Sequence, residues 1–329
     1  MIEEGIKGKG NYRHWQYMTG EDFKKIDKTR TIVTVTCSPI EVHGPHLPVI
    51  ADNREAEAIT AKVIDLMADR NPEVLFLRLP TIYVSADVIP HTGSLMFKSS
   101  TIVKVLADLG RTLAKQGFKN IWVTSFHGGP RHFVPIEVAA DITNRKYGAR
   151  MVSLFSLLVK KLTEGTSQLG HVLGELDGLT PEELDGDTHA GAIETSMLMH
   201  LLGECVDPVY KDLERMTIDL KLIKDGQPPR SNKPGHTSIP ELLRGFKAAM
   251  KYFETMTYSG KPEISSPEIG EAILDKLAEM AIEPLSDLWT GKLPLEECHS
   301  PVWPLRWLFT WRWVSVIFER LAGYKNPIF

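Results

Sequence analysis

The stretch "TIVTVTCSPIEVHGPHLPVIADNREAEAITAKVIDLMADR", residues 31–70, carries a strand pattern, a polar cluster and a helix pattern in direct succession. Residues 31–36 alternate β-branched side chains without a break, as a strand does, and Pro39 ends the run by withdrawing a backbone donor. From Asn53 onward Ala56, Ile59, Val63, Leu66 and Met67 recur at three- and four-residue steps, the period of a helix with one buried face. On the following helix Glu55 and Glu57 are expected to belong to a solvated face. Between strand and helix lie Glu41, His43, His46 and Asp52, with Pro45 and Pro48 stiffening the interval. Four side chains able to hold a cation are crowded just past a strand end, which costs free energy unless positive charge sits among them.

Outward from this stretch the same alternation continues. "EVLFLRL" (73–79) reads as a strand, and "SSTIVKVLADLGRTLAKQGF" (99–118) as a helix with Ser99 or Ser100 as N-cap and Gly117 as its stop. "NIWVTSF" (120–126) is a buried strand, "PIEVAADITNRKYG" (135–148) a helix and "ARMVSLFSLL" (149–158) a further strand. A β-α-β-α-β order predicts an α/β fold with a parallel sheet, helices on both faces and ligands beyond the carboxyl ends of the strands. "SFHGGP" brings His127 to the same edge as Glu41 and His43, with Gly128 and Gly129 permitting close backbone approach. In "DGDTHAGAIETSMLMHLL" (185–202), Asp187 or Thr188 can cap a helix that carries Glu194 in its early turns. The proline-rich stretch 224–240 reads as a surface loop.

The bulk properties narrow the function. A chain of 329 residues with 43% hydrophobic content suffices for one large domain. Its net charge of −4 comes from interspersed acids and bases, so no basic face for a nucleic acid is visible and a small neutral or cationic substrate fits better. Cys37, Cys205 and Cys298 form no CxxC pair, which argues against a disulfide framework or a thiolate zinc site and for a reducing compartment. With no apolar leader at the start of the chain, a cytoplasmic protein is expected.

Glu41, His43, Asp52, His127 and Glu194 make two imidazoles and three carboxylates, a donor set suited to Zn²⁺, Mn²⁺ or Fe²⁺. Set in order, "EVHGPHLPVIAD", "FHGGP" and "HAGAIETS" resemble the motifs of the creatininase (creatinine amidohydrolase) family, and "YSGKPEISSPEIGEAIL" resembles its closing segment. The resemblance implies a three-layer α/β/α fold with a mainly parallel central sheet over residues 1–283, leaving a Trp-rich extension at 284–329. It implies a metal-dependent amidohydrolase that cuts a non-peptide or cyclic C–N bond of a small molecule with a metal-bound hydroxide. Two divalent ions per chain and a homo-oligomer, often a hexamer, go with it.

Carried over by position, Glu41 and His43 bind different metals, Asp52 bridges them, His127 completes one, and Glu194 is the remaining ligand beside the chemistry. His189 matches a histidine that the family uses for proton transfer. Ser85, Gly128, Gly129 and His46 are the candidate substrate contacts, His46 also supporting the loop behind the ligands. Creatininases proper carry a metal-binding Glu where this chain has Gly129, and asparagines where it has Ser125 and Pro130, which points away from creatinine itself. Relatives with the plain loop include formamide deformylases and a peptide-trimming enzyme, and these are the alternatives. A non-catalytic metal-binding scaffold is the alternative of another class.

The tail "SPVWPLRWLFTWRWVSVIFERLAGY" (300–324) lies beyond the resemblance. Trp303, Trp307, Trp311, Val314 and Phe318 recur at helical spacing and predict one aromatic stripe, with Arg312, Glu319 and Arg320 off it. The segment is too short and too charged to span a bilayer. Packing on its own domain, exchange with a neighbouring subunit at the active site, and an interfacial membrane anchor are the three readings, the second being favoured.

Overall fold

The β-branched run Thr31–Thr36 forms strand β2, buried along its whole length. In the computed structural model it is the middle strand of a five-stranded sheet of order β1-β3-β2-β4-β5, with β1 at Tyr12–His14, β3 at Leu75–Arg78, β4 at Asn120–Thr124 and β5 at Arg150–Ser153. All four pairings are parallel. The structure describes residues 11–163, 178–230 and 239–311, with the single positions 173, 176, 313, 314 and 317.

Helices α1 (Gly20–Lys25), α2 (Ala51–Arg70), α3 (Ser99–Lys115), α4 (Pro130–Tyr147) and α5 (Leu154–Thr163) connect or follow the strands. After them come α6 (Ala192–Leu202), α7 (Ile218–Lys224), α8 (Ile239–Phe253), α9 (Pro267–Thr290) and the short α10 (Arg306–Thr310). Because strand side chains alternate in direction, the sheet presents two different apolar faces. Ile32, Phe76, Trp122 and Val152 share one core with Ile59 and Met67 of α2, Leu157 of α5, Met197 of α6 and Ile273 of α9. Val33, Leu77, Ile121 and Met151 share the other with Ile102 and Leu106 of α3 and Ile136 of α4. The result is the expected three-layer α/β/α arrangement.

Several local expectations are corrected. The strand expected at 149–158 stops at Ser153, because Leu154, Leu157 and Leu158 bury one helical face and the Ser156 amide donates to Ser153 Oγ at 3.2 Å, starting α5. Neither Ser99 nor Ser100 caps α3: Lys98 holds that position with no side-chain cap, and Ser99 Oγ instead donates to the Arg131 carbonyl at 2.7 Å. Glu55 and Glu57 are buried, since α2 has the sheet on one side and α6 and α9 against another. Glu57 meets Arg54, Arg78 and Thr81, whereas both carboxylate oxygens of Glu55 lack a hydrogen-bond partner.

The C-terminal segment does not bury the predicted tryptophan stripe. Leu308 and Phe309 are buried against Phe133 and Val134 of α4, while Trp311 is 64% and Trp313 78% exposed. The backbone is extended at Trp311 after the short helix α10, which interrupts the helical spacing, while Trp307 and Val314 of the predicted stripe pack beside Leu308 and Phe309. Arg312, Phe318, Glu319 and Arg320 lie outside the described residues. Helix α9 runs through the 283/284 boundary expected between domain and extension. Among the described residues no helix is long and apolar enough to cross a membrane.

Candidate metal centre

The chain leaves β2 toward α2 and β3 on one side of the sheet, and β4 lies on the other side of β2. The C-terminal ends of β2 and β4 therefore flank the point where strand order reverses, the usual ligand crevice of such sheets. Glu41 and His43 sit in the loop after β2, Asp52 in the first turn of α2, His127 in the loop after β4, and Glu194 in the first turn of α6. Ser125 stitches the two strand ends together: its hydroxyl meets Ser38 Oγ at 3.0 Å and receives a hydrogen bond from His132 Nε2 at 3.1 Å. Gly44 has φ +63°, and a Cβ there would lie 2.6 Å from His46 Nδ1, so the turn at 44 requires glycine.

The imidazoles are oriented from behind. His43 Nδ1 donates to the Glu41 backbone carbonyl at 3.0 Å, and His127 Nε2 donates to the Ala86 carbonyl at 3.2 Å. Each ring thereby turns its other nitrogen, as a lone pair, toward carboxylates. His43 Nε2 lies 3.5 Å from Asp52 Oδ2 and 3.7 Å from Glu194 Oε2. His127 Nδ1 lies 3.0 Å from Glu41 Oε2 and 3.9 Å from Asp52 Oδ1. The two oxygens of Asp52 thus face two different groups of acceptors.

Acceptors facing acceptors need a cation between them. Glu41 Oε2, His43 Nε2 and Asp52 Oδ2 are buried with no hydrogen-bond partner. Among the described residues three sets of groups each bring their ligand atoms within 4.8 Å of one another: Glu41, Asp52 and His127; His43, Asp52 and Glu194; Glu41, His43 and His189. The N/O donors, the orphaned acceptors and the ring orientations together fit divalent cations.

Without metal, protons take the cations' place. Burial alone would lower His127, but the Glu41 carboxylate beside it lifts it to about 9. Burial would raise Glu41, but His127 holds it well below the usual carboxylate range. Burial pushes Glu194 up to about 7 against the pull of His43. Burial, joined by the charges of Glu194 and Asp52, drives Glu55 far above the usual range.

The remaining candidates fall in different places. His189 Nε2 donates to the Val42 carbonyl at 2.9 Å and its ring lies 4.2 Å from that of His43, while burial pushes it down to about 3. Gly128 and Gly129 line a cavity of about 1170 Å³ that opens onto Glu41, Asp52, His189 and Glu194. A Cβ on Gly129 would meet Asp87 Cβ at 2.6 Å and His127 Nε2 at 2.8 Å, which leaves no room for a larger residue. Ser85 and His46 do not line that cavity. Ser85 Oγ donates to the Ala86 carbonyl at 3.1 Å, and His46 Nε2 hydrogen-bonds Thr195 Oγ1 at 2.8 Å behind the ligands. It is Asp87 to Pro90, just after Ser85, that reach the cavity. Neither Asp187 nor Thr188 holds the N-cap of α6, which is Gly191; the Asp187 carboxylate instead receives the Ala192 amide at 2.5 Å from outside the helix. Sequence reading missed Glu55, whose only signal was its place one turn after Asp52.

A family model, creatinine amidohydrolase, matches residues 16–285. The mycofactocin precursor peptide peptidase of Mycolicibacterium smegmatis is 24% identical over 197 residues, 58% of this chain and 67% of that one. A creatininase structure designated Mn superposes with a TM-score of 0.58 at 18% identity, covering 85% of this chain and 99% of the other. A creatininase mutant of Zn-Zn type gives a TM-score of 0.57 at 16% identity, covering 86% and 99%. With the family model spanning most of its length and the family's fold around the motifs, the chain belongs to the creatininase family, whose members are metal-dependent amidohydrolases.

Proposed function

We propose that the protein hydrolyses a C–N amide bond of a small molecule other than creatinine, using two divalent cations, Zn, Mn or Fe, per chain. One observation carries the reading: Asp52 turns one oxygen toward His127 and the other toward His43, as a carboxylate shared by two ions must. Glu41 and His127 would hold one ion with it, and His43 and Glu194 the other. Bound there, divalent cations supply Lewis acidity toward an amide carbonyl and acidify water to near neutral pH.

The chain's own residues do the rest. His189 packs against His43 with its Nε2 held by the Val42 carbonyl, so its other ring nitrogen is the one to take a proton at the site and return it to the departing nitrogen. Gly128 exposes backbone to the cavity, with nothing within 4 Å of where its Cβ would be, leaving room for the substrate beside the ligands. Gly129, in place of a ligating glutamate, supports a substrate different from creatinine. The proposal includes a homo-oligomer in the cytoplasm, consistent with free Cys37, Cys205 and Cys298.

A second reading, trimming of a peptide or removal of a formyl group, is favoured by the peptidase relative and by a cavity far larger than a single small ring. The test is elemental analysis with turnover of cyclic amides, formamides and short peptides. Parent protein should hold up to two ions and hydrolyse one of these classes, and Asp52→Ala should lose most of the metal. Full metal retention by that variant would overturn the shared-ligand assignment, and metal without any turnover would favour the scaffold reading.

A further inference from the structure

The cavity above the ligands has one wall that the proposed chemistry does not use. From Gly245 on, α8 turns Phe246, Ala249, Met250 and Phe253 toward it, positions that share one face of a helix. These apolar side chains are partly open rather than packed shut. Phe253 continues the wall to the reactive end: its ring lies 5.6 Å from that of His189, edge to face, and its carbonyl receives a hydrogen bond from His91 Nε2 at 2.7 Å. The cavity, about 1170 Å³, exceeds the roughly 300–1,000 Å³ usual for drug-sized ligands.

Behind this wall stands the C-terminal segment. Phe246 meets Phe309 with ring centres 6.3 Å apart, and Phe309 and Leu308 are buried with Phe133 and Val134 of α4. The Ser300 amide is tied to the Glu137 carboxylate at 2.5 Å, which fixes the start of the segment to the same helix. The segment's own residues in these contacts, Ser300, Leu308 and Phe309, lie beyond residue 285, where the family match ends.

We infer that α8, buttressed by residues 300–310, is a specificity wall that receives a large apolar group, aryl or long alkyl, carried by the amide that the site cleaves. The inference rests on the amidohydrolase reading of the metal centre. An apolar surface open beside a charged centre gains free energy only when an apolar body covers it. A peptide backbone fits this wall poorly, because a helix spends its own amides and carbonyls internally and offers no strand edge to pair with.

Metal-loaded full-length protein is titrated calorimetrically with acetohydroxamate and with 4-phenylbutyrohydroxamate, which share a metal-binding head and differ in the apolar body. The larger ligand should bind about 10²-fold more tightly, given the area it covers. Ala249→Trp, which fills the wall, and Phe309→Ala, which removes its support, should each collapse that ratio toward unity with metal content equal to the parent. Equal affinities in the parent protein would overturn the inference and leave the metal centre standing. Absence of binding by either hydroxamate would overturn the metal-centre reading and this inference with it.

Discussion

Gly270 of α9 is buried where that helix crosses α6, and a Cβ built on it collides with the backbone carbonyl of Ser196 and lies 2.8 Å from the Met197 amide nitrogen. Gly270→Ala therefore forces two helix backbones apart. Restoring about 3.5 Å of separation from 2.8 Å requires at least about 0.7 Å of movement, and the nearer carbonyl demands more. Overpacking of this kind costs about 1–3 kcal/mol, which lowers the melting temperature by about 1.5–4 °C in a chain of this size. The same shift carries Glu194, two residues before Ser196, away from His43, now 3.7 Å from its carboxylate. Ligands tolerate only about 0.5 Å of misplacement, so one ion per chain should be lost and amide turnover should fall more than about tenfold. Circular dichroism melting and elemental analysis of the purified variant check both effects. A melting temperature within about 1 °C of the parent, with full metal content, would refute the claim that this contact sets the position of Glu194.

His189→Ala should retain both ions and lose about 10²-fold in kcat, as expected for a proton carrier, measured by elemental analysis and steady-state kinetics. Loss of metal in that variant would instead make His189 a ligand, in line with its closeness to Glu41 and His43. For chelator-stripped protein, stability should fall as pH rises from 7 to 9. Folded His127 is held to about 9 against an ordinary 6.5, so its contribution is complete below 6.5 and is lost as pH rises through about 9. His43, also raised, adds in the same direction. Urea unfolding should show a slope of about 1.4 kcal/mol per pH unit or more in that window, and a flat profile would contradict the charge arrangement.

Local sequence determined a good deal of this protein, because several of its signals act over short range. The β-branched run at 31–36 could form little but a strand, and the period of Ile59, Val63 and Met67 could hide only one helical face. Fixed order and spacing of three motifs carried the identity of the metal-competent residues, since each lies at a strand or helix end whose position follows from the alternation. Tertiary structure alone decided the environment of those residues. Glu55 reads as a solvated helical position until α6 and α9 cover α2, after which it is a carboxylate buried beside Asp52 and Glu194. Ser85 and His46 sit close to the ligands in sequence, yet their side chains turn to Ala86 and Thr195 and leave the cavity to Asp87 and its neighbours. In the tail, helical spacing offered the tryptophans as the buried stripe, but α4 buries Leu308 and Phe309, Trp307 and Val314 only pack beside them, and Trp311, where the backbone is extended, stays exposed. Periodicity states which residues can share a face. Which face is covered, and by what, depends on contacts between segments hundreds of residues apart, and these exist only once the layers have packed.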